Sequence, residues 1–578
     1  MSETVGRTYG DVIIDSMWRG GVDALFFTSG SDIMFYQEAV ARQNAEQESG
    51  IKLYTMTHEI VSLNAAMGYS AVSGRPVATA AHVAVGTLNY GSAIHGASRS
   101  RLPIIITAGI PPTATPGTID GCIDAANFYT QQVPDQNGIV RQYMKWEHVL
   151  AYQDNPGTVF GRGIQIAMTE PRGPVYVSLP REIQMAAKRE PSYASSSQLG
   201  VPLVSEPSDD AMNTVIDRCL NAQRPVIVVG LGGRDEESVA ELERFADYFG
   251  IPVLDGRLFS YQCLDFDHPL YRRKGDMSNA DLVFVLESDI PWLPGAPTSP
   301  SSDASIIVID HDPLISHVPM VDFPASMRLV TDTKHFVRKA LRMAEARLTA
   351  PETAALKQRR EKAVIDVSAH RKSVFDEASA RFRTDVIDPV WASLIVASVI
   401  PDDAVVFDDT IDSAPVRRFL KVSGPAQYFH RPSSSGGWGI GAALGAKLAL
   451  PDRTVVMISG DGFYMFGVPT CALWAARLYK APFLSIVFQN DSYNTGTEHT
   501  AKHYPNGYAE AAGFPGGYLD SPVDFAVEAT ASGAYGENVT EAEMLEPALR
   551  RGLEAVKNGR CAVISIKVPK LLQLPPRA

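Results

Sequence analysis

Short apolar runs alternating with helical stretches recur along the whole chain, and this alternation restricts it to a parallel α/β architecture. In the first part the runs are Ala24 to Phe27, Ile51 to Tyr54, Val77 to Ala80, Ile104 to Ala108 and Val175 to Leu179. Runs this short with near-continuous apolar character fit strands buried on both faces, which is how parallel strands read.

The alternation then stops. Lys188 to Asp210, rich in Pro, Ser and charge, reads as a linker. It resumes at Pro225 to Val229, followed by the turn Gly230-Leu231-Gly232-Gly233, a charged amphipathic helix from Glu236 to Phe249, and strands near Val253, Leu282 to Leu286 and Ile306 to Ile309. This strand, glycine turn and helix resemble a dinucleotide fold, but the third glycine of that fingerprint is missing, so a tight turn without a ligand is the stronger reading. A charged helical stretch, Thr353 to Arg371, leads into a third block. Its strands are Ala404 to Phe407, Thr454 to Ile458, Phe483 to Phe488 and Ala562 to Val568, with helices through Gly441 to Leu450 and Pro469 to Tyr479. A chain of 578 residues exceeds one hydrophobic core. The expected fold is therefore three tandem parallel-sheet α/β modules, over residues 1–187, 211–345 and 372–578.

Charge narrows the partners. A formal net charge of -13, with no dense Lys/Arg stripe, argues against nucleic acid. No apolar run reaches bilayer length, so no membrane association is expected. The five cysteines, Cys122, Cys219, Cys263, Cys471 and Cys561, show no Cys-x-x-Cys spacing; this argues against a disulfide framework or zinc site and points to a reducing cytoplasm.

The sharpest chemical feature is Ile458-Ser459-Gly460-Asp461-Gly462, after a strand and before a helix, with Gln489-Asn490-Asp491-Ser492 closing the next strand. Backbone N–H groups at a glycine turn can approach phosphate oxygens, and a helix start favours the anion. Magnesium prefers hard oxygens, and Asp461 with the Asn490 side-chain carbonyl supplies two from neighbouring strand ends. The order Gly-Asp-Gly, helix, strand, Gln-Asn resembles the signature of the thiamine diphosphate enzymes, in which a pair of asparagines stands where this chain has Gln489-Asn490.

That resemblance implies a pyrimidine-binding first module, a Rossmann-like middle module and a diphosphate-binding third module, with thiamine diphosphate and Mg2+ as cofactors. The implied metal ligands are Asp461, Asn490 and the backbone carbonyl of Ser492. Gly460, Gly462 and Phe463 fall in the implied cofactor turn, and Thr410, in Phe407-Asp408-Asp409-Thr410, falls at a diphosphate contact. Glu59, in Thr57-His58-Glu59, resembles the family glutamate that hydrogen-bonds the aminopyrimidine ring. In Ser435-Gly436-Gly437-Trp438, the carbonyl of Gly436 would accept from the 4′-amino group and Trp438 would wedge the cofactor into its bent shape.

Within the family the pattern is closest to the benzoylformate decarboxylase and acetohydroxyacid (acetolactate) synthase branch. Ser31 matches the serine that holds a substrate carboxylate, and His82 the catalytic histidine, a residue suited to proton transfer near neutrality. Gln132 is the loose counterpart of a branch glutamine. Glu498 reads either as an acid-base or anion-excluding group or as a solvated loop glutamate, and Trp292 either as a substrate-mouth residue or as a core aromatic. There is no His-His pair in the first module, so simple pyruvate decarboxylation is less favoured, and with no recognisable flavin-contacting run no flavin is expected. The implied activity is a 2-oxo acid decarboxylase or carboligase, a lyase or transferase acting on a small carbonyl substrate as a homodimer or homotetramer. A 2-hydroxyacyl-CoA lyase, a cyclic diketone hydrolase and a non-catalytic scaffold of the same fold are the alternatives.

Overall fold

The computed structural model describes residues 6–570 apart from 48, 188–192, 194–197, 257–260, 274, 320–322, 412–413, 423 and 520. The three blocks of alternation form three sheets in which every strand pair is parallel. The first contains β1 (Ala24–Phe27), β2 (Lys52–Thr55), β3 (Val77–Ala81), β4 (Ile104–Ile110), β5 (Trp146–Val149) and β6 (Val175–Pro180) in the order β2-β1-β3-β4-β6-β5. The second contains β7 (Pro225–Val229), β8 (Val253–Asp255), β9 (Leu282–Leu286), β10 (Ser305–Asp310) and β11 (Met327–Val330) in the order β11-β10-β9-β7-β8. The third contains β12 (Val405–Asp409), β13 (Tyr428–His430), β14 (Val455–Gly460), β15 (Leu484–Gln489), β16 (Tyr535–Val539) and β17 (Ala562–Lys567) in the order β13-β12-β14-β15-β17-β16.

The central strands are buried along their length, as the apolar runs require. Four strands were not expected from the sequence: β5, β11, β13 and β16. All four lie at sheet edges. An edge strand pairs on one side only and needs no continuous apolar run, which is why Trp146-Glu147-His148-Val149 and Tyr535-Gly536-Glu537-Asn538-Val539 carry charge and polar side chains. The linker is shorter than the composition suggests: Ser208 caps a helix that already begins at Asp209 (Asp209–Asn221), its side chain accepting from the Ala211 N–H. Part of the remainder lies outside the described residues. The charged stretch before the third block becomes one long helix, Ala350–Ala380, closed at its start by a capping box between Thr349 and Glu352.

By internal contacts the chain forms two compact units, one of Met1–Leu203, Pro432–Pro451 and Gly467–Ala481, the other of Val204–Arg431, Asp452–Phe466 and Pro482–Ala578. The helices Trp438–Ala449 and Pro469–Leu478, which follow β13 and β14 in sequence, thus belong with the first sheet. The reason is a close crossing of Trp438–Ala449 over the helix Glu59–Ser73. A Cβ on Gly445 would overlap the carbonyl of Ala65, and one on Gly68 would overlap that of Ala442, so only glycine permits the approach. Asn64 Nδ2 donates to the Gly437 carbonyl at 3.2 Å across the same contact.

Candidate active site

Each unit carries one cluster of the expected residues. In the second, β14 ends at Gly460 and the chain turns into the short helix Asp461–Phe466. β15 runs alongside, with Gly460 paired to Phe488, so Asn490 emerges beside Asp461. Asp461 is 4% exposed. Its Oδ1 accepts from the Gly462 N–H at 2.8 Å, and its Oδ2 from the N–H groups of Asn490 and Asp491 at 3.0 and 2.7 Å. Burial pushes this carboxyl up to about 6, against the lowering effect of the backbone donors and the Lys567 ammonium. A buried carboxylate is stabilised by a nearby cation. Lys567 is itself paired with Asp491.

Asn490 Oδ1 accepts from the Ser492 N–H at 2.9 Å, which folds the loop back so that the Asn490 side-chain oxygen stays at the strand end. Asp491 sits at φ 50 and is tied by its carbonyl to the Leu519 N–H at 2.8 Å. Nothing lies within 4 Å of a Cβ built on Gly460. Among the described residues no three His, Cys, Asp or Glu side chains converge. One carboxylate with amide and backbone oxygens is a donor set that suits magnesium rather than a transition metal.

Thr410 stands at the end of neighbouring β12, but its hydroxyl donates to Asp408 Oδ1 at 2.7 Å and is buried. Phe463 lies under the Arg431 guanidinium, 5.0 Å from the ring centroid. Glu498 is exposed on the helix Asn494–His503, not in a loop. Trp292 is 7% exposed and packs edge-on against Phe323 at 5.5 Å, which places it in the core of the middle sheet.

In the first unit, Glu59 opens the helix Glu59–Ser73 behind His58, whose Nδ1 accepts from the Ile60 N–H at 3.2 Å. Glu59 is buried, not an exposed helix-start carboxylate. Asn89 Nδ2 donates to its Oε2, and a Cβ on Gly86 would stand 3.0 Å from its Oε1. One oxygen is thus fixed and the other faces a position kept open by glycine. Gly436 and Trp438 are both buried, Trp438 beginning the helix that crosses Glu59–Ser73, and Gly437 between them adopts φ 94.

His82 follows β3 and precedes the helix Val83–Asn89. Its Nδ1 is hydrogen-bonded to Asp32 Oδ1, and its Nε2 lies 2.9 Å from Gln131 Nε2. Asp32 Oδ2 also accepts from the Val83 N–H at 3.0 Å. The hydrogen bond that His82 donates to Asp32 holds it above the usual histidine range, against the opposing effect of burial and with a smaller contribution from Glu59. Ser31 and Gln132 are exposed, and the contact with His82 comes from the neighbouring Gln131.

Asn89, Asp32 and Gln131 were not singled out in the sequence. Asp32 follows Ser31 directly in Thr28-Ser29-Gly30-Ser31-Asp32, and an acid beside a glycine turn near a strand end is a usable signal. Nothing local distinguished Gln131 from Gln132, or marked Asn89 on its helix.

Family models for thiamine pyrophosphate enzymes match along the chain: the N-terminal TPP binding domain over residues 7–139, the central domain over 212–340 and the C-terminal TPP binding domain over 413–566. The chain is similar to the benzoylformate decarboxylase of Pseudomonas aeruginosa, at 26% identity, over 86% of this chain and 89% of the relative. It is similar to the acetolactate synthase isozyme 3 large subunit of Escherichia coli at 23% identity, over 96% of this chain and 94% of the relative. Of solved structures, the thiamine diphosphate-dependent 4-hydroxybenzoylformate decarboxylase of Rhodococcus jostii superposes with a TM-score of 0.77 at 21% identity, covering 97% of this chain and 99% of that one, a likeness of fold. With three domain models matched in order, over segments that hold both residue clusters, the chain belongs to the thiamine diphosphate enzyme family.

Proposed function

We propose that the protein is a magnesium-dependent 2-oxo acid decarboxylase or carboligase using thiamine diphosphate. The observation that carries this is that one chain holds both a buried, half-fixed Glu59, in one unit, and the Asp461–Asn490 oxygen set, in the other. An idle scaffold has no need of either. Benzoylformate decarboxylase and acetolactate synthase relatives support the 2-oxo acid class.

Bound thiamine diphosphate supplies a nucleophilic ring carbon and an electron sink for the bond that breaks beside the carbonyl. The chain's residues bind, orient and move protons. Asp461, the Asn490 side-chain oxygen and the Ser492 carbonyl would hold magnesium, and the turn Gly460–Phe463 would take the diphosphate end. Asn89 keeps Glu59 Oε2 occupied, which leaves Oε1 to hold the proton shared with the aminopyrimidine. The Gly436 carbonyl would accept from the amino group, and Trp438 would set the cofactor's bend. His82 Nε2 would pass a proton to or from the substrate oxygen, and Ser31 would hold the carboxylate.

We further read the protein as a homodimer or homotetramer, since the family completes its site with a second subunit. Its five free cysteines suit a reducing cytoplasm. No helix among the described residues is long and apolar enough to cross a membrane.

The test is a screen of aliphatic and aromatic 2-oxo acids against purified protein with magnesium and thiamine diphosphate, following carbon dioxide, aldehyde and hydroxyketone together. Turnover of at least one acid, lost in Glu59→Gln, is expected. No calorimetric affinity for the cofactor in the presence of magnesium would overturn the reading.

A further inference from the structure

We propose that Asp32 and Gln131 are positioning residues for His82: Asp32 fixes the proton on Nδ1, and the Gln131 carboxamide holds Nε2 in the resting state, whichever way it is protonated, until a substrate oxygen takes its place there, so that the ring need not move to take or give a proton. This rests on the reading of His82 as the proton-handling group.

The corner is built for this contact. Asp32 is fully buried, and both carboxylate oxygens are committed to one short segment, Oδ1 to the His82 ring and Oδ2 to the Val83 N–H. Glycines clear the space. A Cβ on Gly109 would overlap Asp32 Oδ2, and one on Gly30 would stand 2.6 Å from Asp32 Oδ1 and from His82 Cβ. Val83 is held at φ 36, a left-handed conformation that a β-branched residue adopts only when its surroundings impose it. Such local strain concentrates at sites that must hold a side chain in one orientation.

Gln131 supplies the second half. With its Nε2 toward the ring it donates to an unprotonated His82 Nε2, and its Oε1 is then buried without a hydrogen-bond partner. Rotating the carboxamide by half a turn, an exchange of two atoms of similar size, places Oε1 where it accepts from a protonated Nε2. Each protonation state of His82 therefore has a matching amide orientation. The ionisable side chains acting on the ring are Asp32 from the loop after β1 and Glu59 from the start of its helix. Tyr36 and Tyr176, which also feel the Asp32 charge, are held neutral chiefly by burial.

The experiment is an NMR titration of histidine-labelled protein in the resting state, with the His82 signal assigned by its loss in His82→Gln. In the parent protein His82 should titrate above the ordinary histidine midpoint, with the Nδ1-protonated tautomer prevailing on the alkaline side. Asp32→Asn keeps an acceptor for the Val83 N–H but removes the charge, and the midpoint should fall by about one pH unit or more. Any activity that needs protonated His82 falls as pH rises through that midpoint, so its alkaline limb should move to lower pH in Asp32→Asn. Gln131→Glu places an anion at Nε2 and should raise the midpoint; it is read alone where Asp32→Asn does not fold. An unmoved midpoint in a folded Asp32→Asn, or in Gln131→Glu, would overturn the proposal. Because the titration needs no substrate, a failed 2-oxo acid screen beside a shifted midpoint sinks only the functional reading.

Discussion

The strand ends around Asp461 and the corner around His82 are assembled in opposite ways. Asp461 is held by backbone: three N–H groups from two adjacent strand ends, in positions set by the register of β14 and β15. His82 is held by side chains from distant segments, Asp32 after β1 and Gln131 after the helix Asn127–Thr130. A backbone-built site depends on few side-chain identities and concentrates its chemistry in one carboxylate. A side-chain-built corner divides its function among partners, each of which can be lost separately.

The contrast is sharpest at its extremes. Asp461→Ala removes the proposed metal carboxylate and leaves three buried N–H groups without an acceptor. Magnesium-dependent binding of thiamine diphosphate should weaken by at least about 100-fold, as expected for loss of a charge-assisted acceptor with several donors. Isothermal calorimetry with and without magnesium checks this, and affinity within tenfold of the parent would show that the strand ends do not depend on that carboxylate. Asn89→Leu tests the intermediate case, one donor to Glu59. Cofactor binding should persist while kcat falls by up to about tenfold, because one side-chain hydrogen bond, worth about 0.5–1.5 kcal/mol, is lost. A loss of binding equal to that of Asp461→Ala would mean that Glu59 anchors the cofactor instead of activating it.

What was legible in the sequence follows the same division. The three sheets, the turn at Gly460–Gly462 and the position of Asn490 could be read because strand, turn and strand end are local patterns that chain order places together. Edge strands β5, β11, β13 and β16 could not, since one-sided pairing leaves no continuous apolar run. Glu59 and His82 are proposed through resemblance, and their hydrogen-bond partners are not legible in the sequence. Asn89 ends the next helix, Val83–Asn89, on the far side of β3, and two helices and two strands separate Asp32 from His82, so the contact of Asp32 with His82 exists only after β1 and β3 pair. The assignment of two helices of the third block to the first unit was also invisible, because it depends on glycines in two distant helices lying against each other's carbonyls.

The neighbours Gln131 and Gln132 give the finest test of this difference. They share residue type and lie side by side at the end of one short helix, yet only Gln131 reaches His82 while Gln132 is exposed. Gln131→Leu leaves Nε2 without its amide in a half-buried place, and one neutral hydrogen bond of about 1 kcal/mol corresponds to about a fivefold loss. That loss should appear in kcat and not in cofactor affinity, since no contact with the diphosphate end is involved. Gln132→Leu changes an exposed side chain and should stay within about twofold in both. Equal losses in the two variants would mean that the His82 corner draws on surface residues as well as its buried partners, and the contrast with the strand ends would then be one of exposure, not of backbone against side chain.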